Sequence, residues 1–535
     1  MTDRTPAPRT DVCIIGAGIA GGLVGYRLAR RGYEVVFLEA GRRFDPDDRS
    51  EQMEKAIRPE HHRGEVWEMG GERDRYSSSG EVDYALNRSR VKGVGGTTLH
   101  WLGNTPRFHE KDFEMESRYG IATDWPIDYY DLRPYYAEAE EEMGVAGGDS
   151  PSAPPRKEPY PLKPFPKSHS DGLLEEACDK LGISVRHCPQ ARNSEAYDDR
   201  SRCVGYSTCS PVCPSGAKYS GDVHVRKAER EGALVIDRVP VEALEHDATG
   251  SVTAARYVTP DGDRYRQEAR HFVLAGGGIE TPRLLLLSTS MEYPDGLANS
   301  SGAVGRYFME HPAVRMTARL DRRTNPEPIA FITTISEHFY DVEESPPGSI
   351  LLEFFPLRPP SPAAGAMYSG ITEGVSGVDW GDDIVENYEF SNDMIRIGAL
   401  IEMLPRWENR VTLDKRKSDN HGNPVPDLSF SVGQYERETF EFAFAVQERI
   451  LKEANGRIIE RTDPNDPSFV SHHMGTTRMG TDPDETVVNE RLRTHDLENL
   501  WIVGSSVFPT GGAANPTLTI AALSLRAAAH MDEIL

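Results

Sequence analysis

The stretch DVCIIGAGIAGGLVGYRLARRGYEVVFLE, residues 11–39, decides the fold. Residues 11–15 form a short apolar run of the length that suits a buried parallel strand. They lead into GAGIAG (16–21), a GxGxxG at the turn into a helix. That helix carries Ala20, Leu23, Val24 and Leu28 on one face and stops at Gly32. A second strand, 34–38, ends on the acidic Glu39. Gly16 makes the tight turn, Gly18 lets backbone amides approach a pyrophosphate, and Gly21 lets helix and strand pack closely. The helix N-terminus faces the phosphates, and Glu39 can take the ribose hydroxyls. Glycine-rich turns alone are common; one set between a strand and a helix, with an acid about 20 residues on, predicts a dinucleotide-binding βαβ unit.

With 535 residues the chain has room for two or three domains and a large core. A formal charge of -25 and a pI of about 5.1 exclude nucleic acid as a partner. Acidic residues are spread along the whole chain and lysine is scarce beside arginine, the pattern of a halophilic surface kept soluble by hydrated carboxylates. No run of 18 apolar residues exists, so no transmembrane segment is expected. The opening MTDRTPAPRT lacks the apolar core of a signal peptide, and six cysteines exclude a disulfide framework; the expected location is cytoplasmic.

Further along, RVKGVGGTTLHW (90–101) is a glycine-rich loop with two hydroxyls, a histidine and an aromatic. Residues 125–143 read as a turn and then a helix, and seven prolines within 151–166 predict an extended crossing segment. A helix is expected over 170–181 and another near 221–231. Strands are expected at 233–236, 243–244, 252–258 and 271–275, with a hairpin turn at Asp261-Gly262. A helix over 280–287 opens on Thr281 and Pro282, a first-turn position that tolerates proline. Alternation at 314–320, 350–355, 395–402 and 411–414 predicts an antiparallel sheet, interrupted by a Pro/Gly/Ser/Asp-rich stretch, 356–385, that reads as a long loop or lid. Residues 434–455 form a helix stopped by Gly456. The last 65 residues return to strand (500–503), glycine-rich turn and helix (517–531).

In order, GAGIAGG (16–22), GVGGTTLHW (93–101), GIETPRLLLL (278–287), GRYFMEHP (305–312), HHMGT (472–476) and NPTLT (515–519) resemble the glucose–methanol–choline (GMC) family of flavin oxidoreductases over nearly the whole chain. The wording is nearest to the branch of pyranose oxidases and bacterial sugar or gluconate dehydrogenases. The resemblance implies FAD, in an α/β fold: a Rossmann-like FAD-binding domain, discontinuous in sequence, with an antiparallel-sheet substrate domain. The expected division is 1–150, 195–310 and 465–535 for FAD binding, 151–194 as a crossing segment, and 311–464 for substrate. Besides Gly16, Gly18, Gly21 and Glu39, it implies cofactor contacts at Gly95, Gly96, Thr97, His100, Val241, Gly504, Ser505 and Thr517.

Oxidising a CH–OH group needs a base for the hydroxyl proton while hydride leaves for flavin N5, and a polar group for the developing alkoxide. His472 has the spacing of the family's catalytic histidine, three residues before Gly475-Thr476, and Asn515 opens the NPT motif where relatives carry histidine or asparagine. Neighbouring His473 competes as a second candidate with a packing role, and Asn515 also suits a helix N-cap before Pro516. His100 matches a histidine that some relatives bond covalently to the flavin and others place only in contact with it. His311-Pro312 reads as structural, at a strand start.

Cys203-x5-Cys209-x3-Cys213-Pro has a spacing that suits an iron–sulfur cluster or a zinc site, and equally three reduced cysteines packing a turn. It resembles the segment that holds a three-iron cluster in some bacterial FAD-dependent sugar dehydrogenases, except that Val204 stands where those have a second cysteine. With such a cluster the protein would export electrons as a dehydrogenase. The expected partners are an alcohol, sugar or sugar-acid substrate and an external electron acceptor, a cytochrome or small partner subunit among the candidates. Alternatives are an oxidase using oxygen, a lyase using the flavin scaffold without redox chemistry, and an NAD-dependent enzyme.

Overall fold

The computed structural model describes residues 4–57, 66–324, 331–341, 348–355 and 393–535. The lid expected at 356–385 lies outside the described residues.

The opening stretch folds as its pattern dictates. Strand Thr10–Ile15 is buried, helix Ile19–Arg30 follows, and Val35–Glu39 returns parallel to the first strand with Ile14 opposite Phe37. Gly16 turns the chain with φ +105, which a side chain would strain. An added Cβ at Gly21 would stand 2.1 Å from the Gly16 carbonyl oxygen, so this glycine is what lets the helix lie on the turn.

Five parallel strands, in the order Leu234–Asp237, Val35–Glu39, Thr10–Ile15, Arg264–Leu274 and Leu500–Ile502, form the larger sheet. The strand Arg264–Leu274 is longer than the apolar run 271–275 because its first half, alternating exposed and buried, pairs antiparallel with Val252–Val258. Val241–His246 completes that antiparallel flap. Helices Ile19–Arg30, Asp222–Arg230, Tyr129–Met143 and Thr517–Asp532 pack around the sheet in one large apolar core. Helix Gly277–Leu287 starts three residues earlier than expected, so Pro282 is its sixth residue. Proline has no N–H for the Gly278 carbonyl, and the Thr476 hydroxyl donates to that oxygen instead, at 2.8 Å.

The second sheet is antiparallel, in the order Arg457–Arg461, Pro312–Arg319, Met394–Ile401, Ile350–Phe355, Thr334–Ser336 and Arg186–His187. Alternate residues Val314, Met316, Leu352, Phe354, Ile395 and Ile397 bury against helices Gln434–Glu453 and His169–Lys180. Their neighbours along the strands line a cavity between the two sheets. Among the described residues no helix is long and apolar enough to cross a membrane.

Candidate active site

The cavity, about 490 Å³, lies at the carboxyl ends of the parallel strands, where open α/β sheets bind ligands. At one end are Gly16, Gly18, Glu39 and Val241; Gly96, Thr97, His100, Gly504, Ser505 and Thr517 also line it, as do His472 and Asn515. Two of the expected cofactor residues stand behind the wall instead. Gly21 holds the helix against the turn, and Gly95 donates its N–H to the Ala17 carbonyl at 2.8 Å.

The dinucleotide end fits a phosphate-bearing ligand. At Gly18 an added Cβ would meet only the Gly96 Cα, at 3.8 Å, so the side left bare by the glycine opens on the cavity. Gly96, at φ +58, brings its own Cα against Gly18 from the second glycine-rich loop. Glu39 is buried, and its carboxylate accepts the N–H groups of Ala17 at 2.8 Å and Gly41 at 2.9 Å. Those bonds lower its proton affinity while burial, the larger effect, raises it. Each oxygen keeps a second lone pair for a ribose hydroxyl.

At the other end His472 and His311 meet edge to face, Nδ1 to Nδ1 at 2.9 Å, and His311 Nε2 lies 3.2 Å from the Gly511 carbonyl oxygen. A carbonyl can only accept, so His311 carries its proton on Nε2. Burial pushes His311 down to about 4, so the ring is neutral and its Nδ1 offers a lone pair. By this assignment His472 donates from Nδ1 and keeps the Nε2 lone pair free of its own proton. Burial, with His311 and His473, holds His472 well below the ordinary imidazole range.

Glu310 sets the backbone of this segment. Its carboxylate accepts the N–H of Ser471 and of His472, both at 2.7 Å, the N–H of His311 at 2.8 Å, and the Tyr84 hydroxyl at 2.6 Å. Burial pushes it up to about 7 against those donors. His473 Nε2 faces the Tyr84 hydroxyl at 2.7 Å and its ring packs near Phe308. Asn515 does not cap the helix that follows it: the N-cap position falls on Pro516, with no side-chain bond. Its side chain stands beside the Glu353 carboxylate and lowers that group's proton affinity. His311 and Glu310 were in view in the GRYFMEHP motif, but only the fold brings them to residue 472; Glu353 carried no sequence signal.

The cysteine segment departs from expectation. Among the described residues no three Cys, His, Asp or Glu side chains are grouped to hold a metal ion, Cys203, Cys209 and Cys213 included, so the iron–sulfur and zinc readings are overturned. The thiols are engaged otherwise. Cys209 Sγ takes the Arg192 guanidinium at 2.8 Å, and Cys213 Sγ takes the Lys218 N–H at 3.4 Å. Arg192 is fully buried over the Phe331 ring, and Lys218 Nζ binds the Cys209 carbonyl at 2.8 Å. Spacing along the chain could not reveal these two buried cations.

Two models of the GMC oxidoreductase family match the chain, over residues 85–313 and 405–524. The fructose dehydrogenase large subunit of Gluconobacter japonicus is 36% identical, with 97% of each chain covered. The 2-methyl-1,2-propanediol dehydrogenase of Mycolicibacterium austroafricanum is 30% identical over 99% of this chain and 96% of its own. Among solved structures, pyridoxine 4-oxidase from Mesorbium loti superposes with a TM-score of 0.67 at 18% identity, covering 98% of this chain and 100% of its own.

Proposed function

The chain belongs to the GMC oxidoreductase family, and from that premise we propose how its cavity carries out FAD-dependent oxidation of a CH–OH group. The parallel-sheet body is the Rossmann-like FAD-binding domain and the antiparallel sheet the substrate domain. The division at 1–150, 195–310 and 465–535 against 311–464 follows from the same reading. Gly16, Gly18, Glu39, Gly96 and Val241 would hold the FAD, which would supply the hydride acceptor.

His472 is the base, taking the hydroxyl proton at Nε2. The observation that carries this role is the Nδ1–Nδ1 contact with His311, which supports a lone pair on the other nitrogen. Asn515 holds the oxygen as charge develops, its amide lining the cavity beside Glu353. Glu310 positions the base through the backbone N–H groups of Ser471 and His472. The substrate is a sugar or polyol, a class supported by the names of the two relatives. An external electron acceptor would complete the turnover, a reading supported by the dehydrogenase names of the two relatives. His472→Ala tests the assignment: the variant is expected to purify with FAD yet lose about 10²–10⁴-fold in the rate of anaerobic bleaching by substrate. Bleaching at the unaltered rate would refute it.

A further inference from the structure

Three adjacent strands of the antiparallel sheet place Arg315, Gly398 and Glu353 in one row. Arg315 lies opposite Gly398 and Gly398 lies opposite Glu353. All three line the cavity that also holds His472 and Asn515. The reverse face of the same strands is apolar core, so this row is charged only where it meets the cavity. Its ends are two strand spacings apart, roughly 9–10 Å between backbones. The middle position has no side chain, and the Phe355 ring, two residues along from Glu353, takes that room: an added Cβ at Gly398 would stand 2.6 Å from it.

The two charged groups are held for an occupant. Glu353 is 5% exposed, and its Oε1 accepts from Asn104 Nδ2 at 2.8 Å. Asn104 Oδ1 accepts in turn from Gln190 Nε2 at 2.7 Å, which also donates to the Ile332 carbonyl at 2.8 Å. Its amide neighbours Asn104 and Asn515 are neutral, and burial pushes the Glu353 carboxyl up to about 7. Arg315 stands beside Arg396, which is already engaged by Thr317 Oγ1 at 2.9 Å and Glu460 at 2.8 Å. Arg315 is thus the donor of this face turned to the cavity, with its guanidinium 5.8 Å from the Phe355 ring.

We propose that the Arg315–Gly398–Glu353 row selects the substrate: an uncharged polyhydroxylated molecule that lies along the Phe355 ring with its hydroxyls beside the reacting carbon reaching both ends of the row, donating to Glu353 and accepting from Arg315. A hydroxyl both donates and accepts, so such a molecule satisfies both ends without adding charge. A monohydroxy alcohol leaves the cavity-facing sides of both groups unbonded, and sites built to bond a hydroxyl reject analogues lacking it steeply. A substrate carboxylate gains Arg315 but faces Glu353. The inference rests on the CH–OH oxidation proposed for this cavity.

The test compares three probes on the holoenzyme: D-fructose, D-gluconate and 1-hexanol. D-fructose is expected to give the highest kcat/KM. Arg315→Met is expected to lower it at least about tenfold, chiefly through KM, with the loss on 1-hexanol under about threefold, whereas Glu353→Gln, which also disturbs Asn515, is expected to cost activity on both, and on D-fructose the more. Should Arg315→Met fail to fold, Arg315→Lys gives the same comparison, since it loses the planar fork and keeps the charge. Equal losses on D-fructose and 1-hexanol, or an unaltered protein that prefers D-gluconate or 1-hexanol, would overturn the row as selector and leave the CH–OH reading standing. Flavin that none of the three bleaches would overturn both.

Discussion

The imidazoles of His311 and His472 meet through their Nδ1 atoms at 2.9 Å, although 161 residues separate them in the chain. With His311 Nε2 on the Gly511 carbonyl, the contact decides which nitrogen of His472 keeps a lone pair.

Replacing His311 by phenylalanine fills the space but removes the acceptor. The His472 ring is then free to turn, and kcat is expected to fall about a hundredfold with KM and FAD content nearly unchanged. Asparagine carries an acceptor oxygen near the position of the lost Nδ1, so His311→Asn is expected to recover most of the rate. A drop in FAD content that parallels the drop in kcat would show instead that His311 only packs the fold.

The pH profile follows from the depressed proton affinity of His472. A base works while unprotonated, so as pH falls through the ordinary imidazole value near 6.5 the neutral ring persists, and activity is lost only well below it. The acidic limb of kcat/KM is therefore expected below pH 6.5. A limb at or above that value would contradict the buried, neutral pair.

Gly18 and Gly21 are three residues apart and separate two functions. Gly18→Ala adds a methyl that meets only Gly96, at 3.8 Å, so the apoprotein should melt unchanged while FAD content falls sharply. Gly21→Ala drives a methyl to 2.1 Å from the Gly16 carbonyl oxygen, and the apoprotein itself should lose about 1–3 kcal/mol. Calorimetry of apoprotein and absorbance of bound flavin check the two separately.

His100 Nε2 is enclosed by protein although its ring lines the cavity. One of the two ring nitrogens is thus closed to a covalent bond, and acid precipitation is expected to leave the yellow colour in the supernatant. A yellow pellet that turns colourless in His100→Ala would establish a covalent bond.

Sequence alone determined the nucleotide half. Its signal is local: strand, glycine turn, helix, strand and acid lie within residues 11–39, and a turn that only glycine can make is written in the residues that make it. Motif spacing likewise brought His472 and Asn515 forward, and alternation marked the long strands of the second sheet. Short strands such as Thr334–Ser336 and Arg186–His187 escaped, because two or three residues carry no period.

Tertiary structure decided the rest. Glu353 reaches Asn104 across 249 residues, Glu310 reaches the amide of His472 across 162, and the Arg315–Gly398–Glu353 row exists only in the register of three strands. The cysteines teach the same lesson in reverse. Their spacing suggested ligands, yet the fold gives Cys209 to Arg192 and Cys213 to the backbone of Lys218. Local backbone conformation is set by neighbours in sequence, whereas a buried polar group takes its role from whatever distant partner satisfies it, and no spacing rule names that partner.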